Sequence, residues 1–189
     1  DLRKGAVNGF GKSKRRTMGM KRILMTVLMA ALITMPLLCD PLVVYFSRSG
    51  NTESVAERIA ERTGADMFEI VTVQIYPEDY NELLDFARNE QRENARPELA
   101  EHIENMDIYD VIFLGYPNWW GDMPMPLYSF LDEYDLSGKT LMPFVTSGGS
   151  GFSRTIRSVE DAEPEATVLE GLSIRDRRVH DSATDRAIE

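Results

Sequence analysis

From Pro41 onward, short unbroken apolar runs alternate with longer stretches whose apolar positions recur every three or four residues. Residues 42–46 (Leu-Val-Val-Tyr-Phe) have strand length and no polar interruption, as expected of a strand buried on both faces. Residues 52–63 put Val55, Ala56, Ile59 and Ala60 on one helical face and stop at Gly64. Residues 67–73 read as a second strand. Residues 80–94 form a charged amphipathic helix with Leu83, Leu84, Phe86 and Ala87 as its apolar side. Asn94-Ala95-Arg96-Pro97 ends it, because the residue before a proline avoids the helical region. Residues 111–115 are a third buried strand. Leu127, Phe130, Leu131 and Tyr134 follow at helical spacing behind Met123-Pro124-Met125-Pro126, a rigid lead-in. Residues 141–146 are a fourth strand, 153–161 a short helix, 167–174 a fifth strand, and 182–189 the start of a last, short helix. Five strands alternating with helices predict an α/β domain, a parallel sheet covered on both faces.

In such a sheet ligands bind beyond the carboxyl ends of the strands, so the segments that follow the strands hold the chemistry. Ser47-Arg48-Ser49-Gly50-Asn51-Thr52 follows strand one and opens a helix. It offers hydroxyls and free N–H groups where the helix dipole favours an anion. Arg48 is its only cation and no Gly-x-x-x-x-Gly-Lys-Ser/Thr occurs, which suits a phosphate monoester better than a nucleoside triphosphate with Mg²⁺. Alone, such a turn is equally well read as a plain helix cap. Tyr116-Pro117-Asn118-Trp119-Trp120-Gly121-Asp122 follows strand three and holds both tryptophans of the chain, a platform for a flat ring. Thr146-Ser147-Gly148-Gly149-Ser150-Gly151-Phe152 follows strand four, and its glycines permit close backbone approach to a ligand.

Charge narrows the partners. Residues 1–39 hold eight of the 21 Lys and Arg but one of the 31 acids, leaving 13 basic and 30 acidic groups, a net of −17, for residues 40–189. A domain this acidic does not bind nucleic acid through phosphate contacts and suits basic protein partners. One cysteine, Cys39, and two histidines away from ligand spacing give neither an internal disulfide nor a metal site.

The three loops resemble those of flavodoxins, and more closely a bacterial flavodoxin-like family with a Tyr-Phe-Ser-x-Ser-Gly-Asn-Thr start, here Tyr45 to Thr52. The resemblance runs from about Leu42 to the end. It implies a doubly wound five-stranded parallel sheet of order 2-1-3-4-5 and non-covalent FMN. The phosphate would rest on Ser47, Arg48, Ser49, Gly50, Asn51 and Thr52. The ring would lie against Trp119 or Trp120 and the backbone of Pro117, Asn118 and Gly121, with Thr146, Ser147, Gly148 and Gly149 along its pyrimidine side. Gly121-Asp122 is similar to the flavodoxin turn whose peptide flips toward the reduced ring. No insertion splits the fifth strand, as in the short-chain type.

Three functions follow: an electron carrier docking redox proteins on an acidic face, an FMN-dependent oxidoreductase taking electrons from NAD(P)H to quinones or other small acceptors, and a non-redox binding module. No catalytic acid–base dyad stands out; Tyr116, Tyr76 and His102 are the candidate proton donors for the second. Residues 1–39 read as a leader. Lys21-Arg22 precedes an apolar run to Leu38, and a basic stretch before about 7–15 apolar residues is the layout of an export signal. If genuine, it makes the protein periplasmic or extracytoplasmic, with membrane contact only through that segment and lipid attachment at Cys39 as a variant; otherwise the protein is cytoplasmic.

Overall fold

The computed structural model describes residues 40–188. The segment expected to be a leader, with Cys39, therefore lies outside the described residues.

Four strands and a broken fifth make one parallel sheet. β1 (Asp40–Tyr45) lies between β2 (Asp66–Glu69) and β3 (Tyr109–Pro117), and β4 (Thr140–Ser147) extends the sheet beyond β3. β5 (Thr167–Val168) and β6 (Leu172–Arg175) both pair with β4, so the order is the expected 2-1-3-4-5. The unbroken apolar runs are explained by the two faces. Leu42, Val44 and Phe46 enter one cluster, beneath α2 (Tyr80–Glu93), α3 (Met125–Glu133) and α4 (Thr155–Ala162). Val43 and Tyr45 enter the other, beneath α1 (Asn51–Thr63) and α5 (Ser182–Ile188). Arg58 of α1 pins the short α5 by an ion pair to Asp185 at 2.9 Å.

Helix ends fall where local chemistry sets them. Gly64, at φ 71°, closes α1 with its N–H on the Ala60 carbonyl. Asp79 caps α2, its Oδ1 accepting from the Asn81 and Glu82 amides, and Asn94 ends it at φ 51°. Met123 and Met125 are buried, so the rigid Met-Pro-Met-Pro lead-in is part of the core.

Two strands differ from expectation. β2 stops at Glu69, because Val71 and Val73 turn away to bond Ala100 and Glu98. The fifth strand breaks between Val168 and Leu172, where β4 advances three residues and its partner four. The Lys139 and Leu141 carbonyls bond the fifth strand, so Pro143, two residues on, turns the same way and has no N–H to give. A one-residue bulge forms opposite it. Gly171 is required there, since a Cβ on it would stand 2.0 Å from the Pro143 carbonyl oxygen.

Candidate functional site

The tips of β1, β3 and β4 are bonded into one surface. The Phe46 amide donates to the Gly115 carbonyl at 3.0 Å, and the Asn118 amide to the Thr146 carbonyl at 2.9 Å. Thr52 and Thr146 share a buried hydroxyl–hydroxyl bond of 2.9 Å. Asn118 then clamps the third loop to the fourth. Its Nδ2 donates to the Gly151 carbonyl at 2.7 Å and to Ser153 Oγ at 3.0 Å, while its Oδ1 accepts from the Gly121 amide.

These tips enclose a cavity of about 410 Å³. Ten of the fifteen residues expected at a site line it: Arg48, Ser49, Thr52, Pro117, Asn118, Trp119, Trp120, Thr146, Ser147 and Gly148. Ser47, Gly50, Asn51, Gly121 and Gly149 do not, although each adjoins a residue that does. Ser47 still bears on the site, because its Oγ is buried without a hydrogen-bond partner. Gly50 caps α1 at φ 82° with no side-chain bond to the helix. The first amides of α1 are thus left for an external acceptor. Arg48 brings a cation, held by its bond to the Pro77 carbonyl at 2.8 Å. Glu53, in the first turn of α1, is an anion and opposes a second one there.

The remaining lining residues are Tyr80, Leu83, Leu84 and Ala87 of α2, and Asp176 after β6. The α2 residues carried a signal in their i, i+3, i+4, i+7 spacing, but that spacing is also the signature of core. Burial raises the Asp176 carboxyl above its ordinary range, partly offset by a hydrogen bond with Asn51.

The third loop is a tight hairpin. Trp119 and Asp122 exchange both backbone bonds, at 2.9 and 3.0 Å, around Trp120 at φ 53° and Gly121 at φ 80°. Positive φ at both central residues makes it a type I′ turn. Trp120 Nε1 donates to the Leu84 carbonyl at 3.0 Å, and the Arg88 guanidinium lies 4.8 Å from the indole centroid. Asp122, with a side chain 4% exposed, accepts from Arg154 Nε at 2.8 Å, from Tyr128 Oη at 2.9 Å and from the Met123 amide. The Gly121–Asp122 peptide is tied at both ends, its carbonyl taking the Arg154 amide and its N–H bonding Trp119. The Trp120 carbonyl has no bond among the described residues. The Trp120–Gly121 peptide is thus tied at one end only, its N–H on Asn118 Oδ1 at 3.0 Å.

None of the candidate proton donors reaches the cavity. Tyr116 is fully buried in the core, Tyr76 is buried against Glu90, and His102 pairs with Glu133 at 2.7 Å on an exposed surface. Among the described residues no cluster of His, Cys, Asp and Glu could hold a metal, and no helix is long and apolar enough to cross a membrane.

A family model described as flavodoxin matches residues 40–187. A protein assigned as a flavoprotein from Bacteroides eggerthii DSM 20697 is 30% identical over 79% of this chain and 99% of its own, with a TM-score of 0.67. Another, from Bacteroides uniformis ATCC 8492, is 27% identical over 79% and 97%, with a TM-score of 0.71. The flavoprotein of Lactobacillus acidophilus NCFM, solved in complex with FMN, is 26% identical over 78% and 97%, with a TM-score of 0.63. By its sheet order, its strand-tip loops and these matches, the chain belongs to the flavodoxin family.

Proposed function

We propose that the protein binds FMN non-covalently in this cavity and serves as an electron carrier. The observation that carries the reading is the convergence at the strand tips of a helix N-terminus without a side-chain cap bond, the unpartnered Ser47 hydroxyl and two indoles. A hydroxyl buried without a partner is destabilising unless a ligand completes it. A phosphate on Ser47, Ser49, Thr52 and the first α1 amides would do so, with Arg48 as the counter-charge. Asn118, Trp119 and Trp120 form the wall a flat ring needs, and the Thr146–Gly148 backbone supplies its polar edge. When bound, FMN accepts and returns one or two electrons, and that chemistry is its own. The chain fixes the ring, excludes water from it and sets the surrounding charge.

The carrier reading is preferred to the oxidoreductase because, among the described residues, the groups lining the cavity form no acid–base dyad. Its partner is a redox protein with a basic face, drawn to the net charge of −17 on residues 40–189.

The test is the absorption spectrum of the purified protein, with the pigment then released by heat and identified. A flavin spectrum with FMN in the supernatant is expected; a colourless protein that fails to take up FMN refutes the reading. Mixing the oxidised protein with NADPH in a stopped-flow instrument separates carrier from enzyme, since rapid bleaching favours the enzyme. Ser47→Ala gives a finer check. It removes a buried unsatisfied group, so the flavin-free protein should be unchanged or up to about 1 kcal/mol more stable, while FMN binds at least about tenfold more weakly.

A further inference from the structure

Behind Trp119 the cavity wall continues inward as touching aromatic rings. The Trp119 and Tyr76 centroids are 5.9 Å apart, and Phe46 meets both, at 5.5 and 5.7 Å. Phe86 packs edge-on against Tyr76 at 5.1 Å. The Tyr76 hydroxyl donates to Glu90 Oε2 at 2.7 Å, with Tyr76 only 5% and Glu90 9% exposed. No cation pairs with Glu90 among the described residues. Neither residue lines the cavity. Glu90 instead reaches an open groove on another part of the surface, beside Gln74, Phe86 and Asn89.

A hydroxyl–carboxylate pair is a costly way to fill an aromatic cluster, where two apolar side chains would pack as well or better. Redox chemistry gives the pair a use. A phenol in water is hard to oxidise because its radical cation must shed a proton, and a hydrogen-bonded carboxylate takes that proton as the electron leaves. We propose that Trp119, Tyr76 and Glu90 form a radical relay that draws oxidising equivalents away from the cavity.

The step balances. An oxygen- or nitrogen-centred radical at the cavity takes one electron from Trp119 and leaves as its anion, and the indole becomes a radical cation. One electron passes from Tyr76 to Trp119, and the phenolic proton crosses to Glu90. The products are a neutral indole, a neutral tyrosyl radical and a protonated Glu90. A soluble thiolate or enediolate then gives one electron to Tyr76, itself becoming a neutral radical, as Glu90 returns the proton.

The geometry sets Trp120 and three of the six other tyrosines apart from this pair. The Arg88 guanidinium over Trp120 disfavours a second positive charge on that ring. Tyr128 is bonded to a carboxylate already engaged by Arg154, a poor proton acceptor. Tyr109 has Asp66 as a partner, but it stands at the opposite end of β3 from the cavity. Tyr80 lines the cavity and is 69% exposed, with no hydrogen bond from its hydroxyl among the described residues.

Pulse radiolysis of the full chain tests the relay. The azide radical, a one-electron oxidant selective for indoles, is generated in a solution of the protein. The indolyl absorption should decay while the tyrosyl absorption grows, at a first-order rate independent of protein concentration. Tyr76→Phe should abolish the growth. Glu90→Gln, which keeps the hydrogen bond but takes the proton poorly, should slow it at least about tenfold, or 1.4 kcal/mol in barrier. Trp119→Phe should cut the tyrosyl yield. Melting curves confirm that each variant is folded, and Glu90→Gln carries the test should Tyr76→Phe not fold. The proposal is overturned by a wild type without tyrosyl growth, by growth that scales with concentration, by Tyr76→Phe retaining the wild-type rate, or by Glu90→Gln leaving it unchanged. None of these readings needs a flavin, so a colourless protein would refute the FMN proposal and leave the relay to be judged on its own result.

Discussion

The Asp122–Arg154 pair is buried at one end only, and that asymmetry predicts which half is costlier to remove. The Asp122 side chain is 4% exposed and that of Arg154 is 62%. Breaking a buried pair costs about 3–5 kcal/mol when an uncompensated charge stays inside. Arg154→Met leaves the carboxylate buried with Tyr128 Oη and the Met123 amide as its donors. Those two hold the cost to the low end, about 3 kcal/mol. Asp122→Asn leaves the charge on Arg154, whose head already meets water, so the cost is the lost charge-assisted bonding, about 1.5 kcal/mol. The double variant has no stranded carboxylate and should lose about 2 kcal/mol, well short of the sum, a coupling of about 2.5 kcal/mol. Urea unfolding at neutral pH, followed by circular dichroism with slopes compared among variants, measures all three. Asp122→Asn costing more than Arg154→Met, or strictly additive losses, would refute the reasoning.

Three further outcomes follow from single contacts. A Cβ on Gly115 would lie 2.1 Å from the Phe144 ring, which is 1% exposed. Gly115→Ala should therefore cost about 3 kcal/mol by overpacking, and Phe144→Leu in the same chain should recover part of it in a melting curve. Asn118→Ala removes the clamp between the third and fourth loops, so FMN affinity in a fluorescence titration should fall at least about tenfold; an unchanged affinity would show that the loops hold without it. Burial and the nearby Asp135 and Asp132 raise the Glu163 carboxyl from 4.5 to about 7. The native state then holds a proton that the unfolded chain has released, so this group's contribution falls as pH rises from 4.5 to about 7. Melting temperature against pH should be flatter across that window in Glu163→Gln, and an identical profile would discount the shift.

The sheet and the three loops were legible because they rest on local chemistry. A run such as Leu-Val-Val-Tyr-Phe is apolar at every position, and only a strand covered on both faces needs that. The hydroxyl-rich, tryptophan-bearing and glycine-rich segments were conspicuous because each follows such a run. What stayed hidden depends on partners distant in sequence. Leu83, Leu84 and Ala87 have the spacing of ordinary core, and only the packed fold makes them a cavity wall. Asp176 is one carboxylate among many until β6 carries it to the cavity. The broken fifth strand is the work of Pro143, visible in the sequence, but its effect falls some thirty residues away on the strand it cannot bond. The pairing of Tyr76 with Glu90 likewise required the loop after β2 to fold back on α2.

The third loop shows most clearly why this site is more than a convenient hollow. A type I′ turn favours Asn-Gly or Gly-Gly, and a tryptophan at its first central position adopts a backbone costing about 1–2 kcal/mol. Such strain persists only where the surroundings over-determine it. Here they do: Leu84 and Arg88 hold the Trp120 indole, Asn118 holds the Gly121 amide, and Arg154 holds the Gly121 carbonyl. Leu84 and Arg88 belong to α2, Asn118 to the loop itself and Arg154 to the segment before α4, and none would be needed to pack an asparagine at the same place. A loop selected only to turn the chain would shed both the tryptophan and the restraints. Their joint presence is explained if the indole must stand at the cavity wall before any ring arrives. The ordering cost is then met in folding and does not weaken binding.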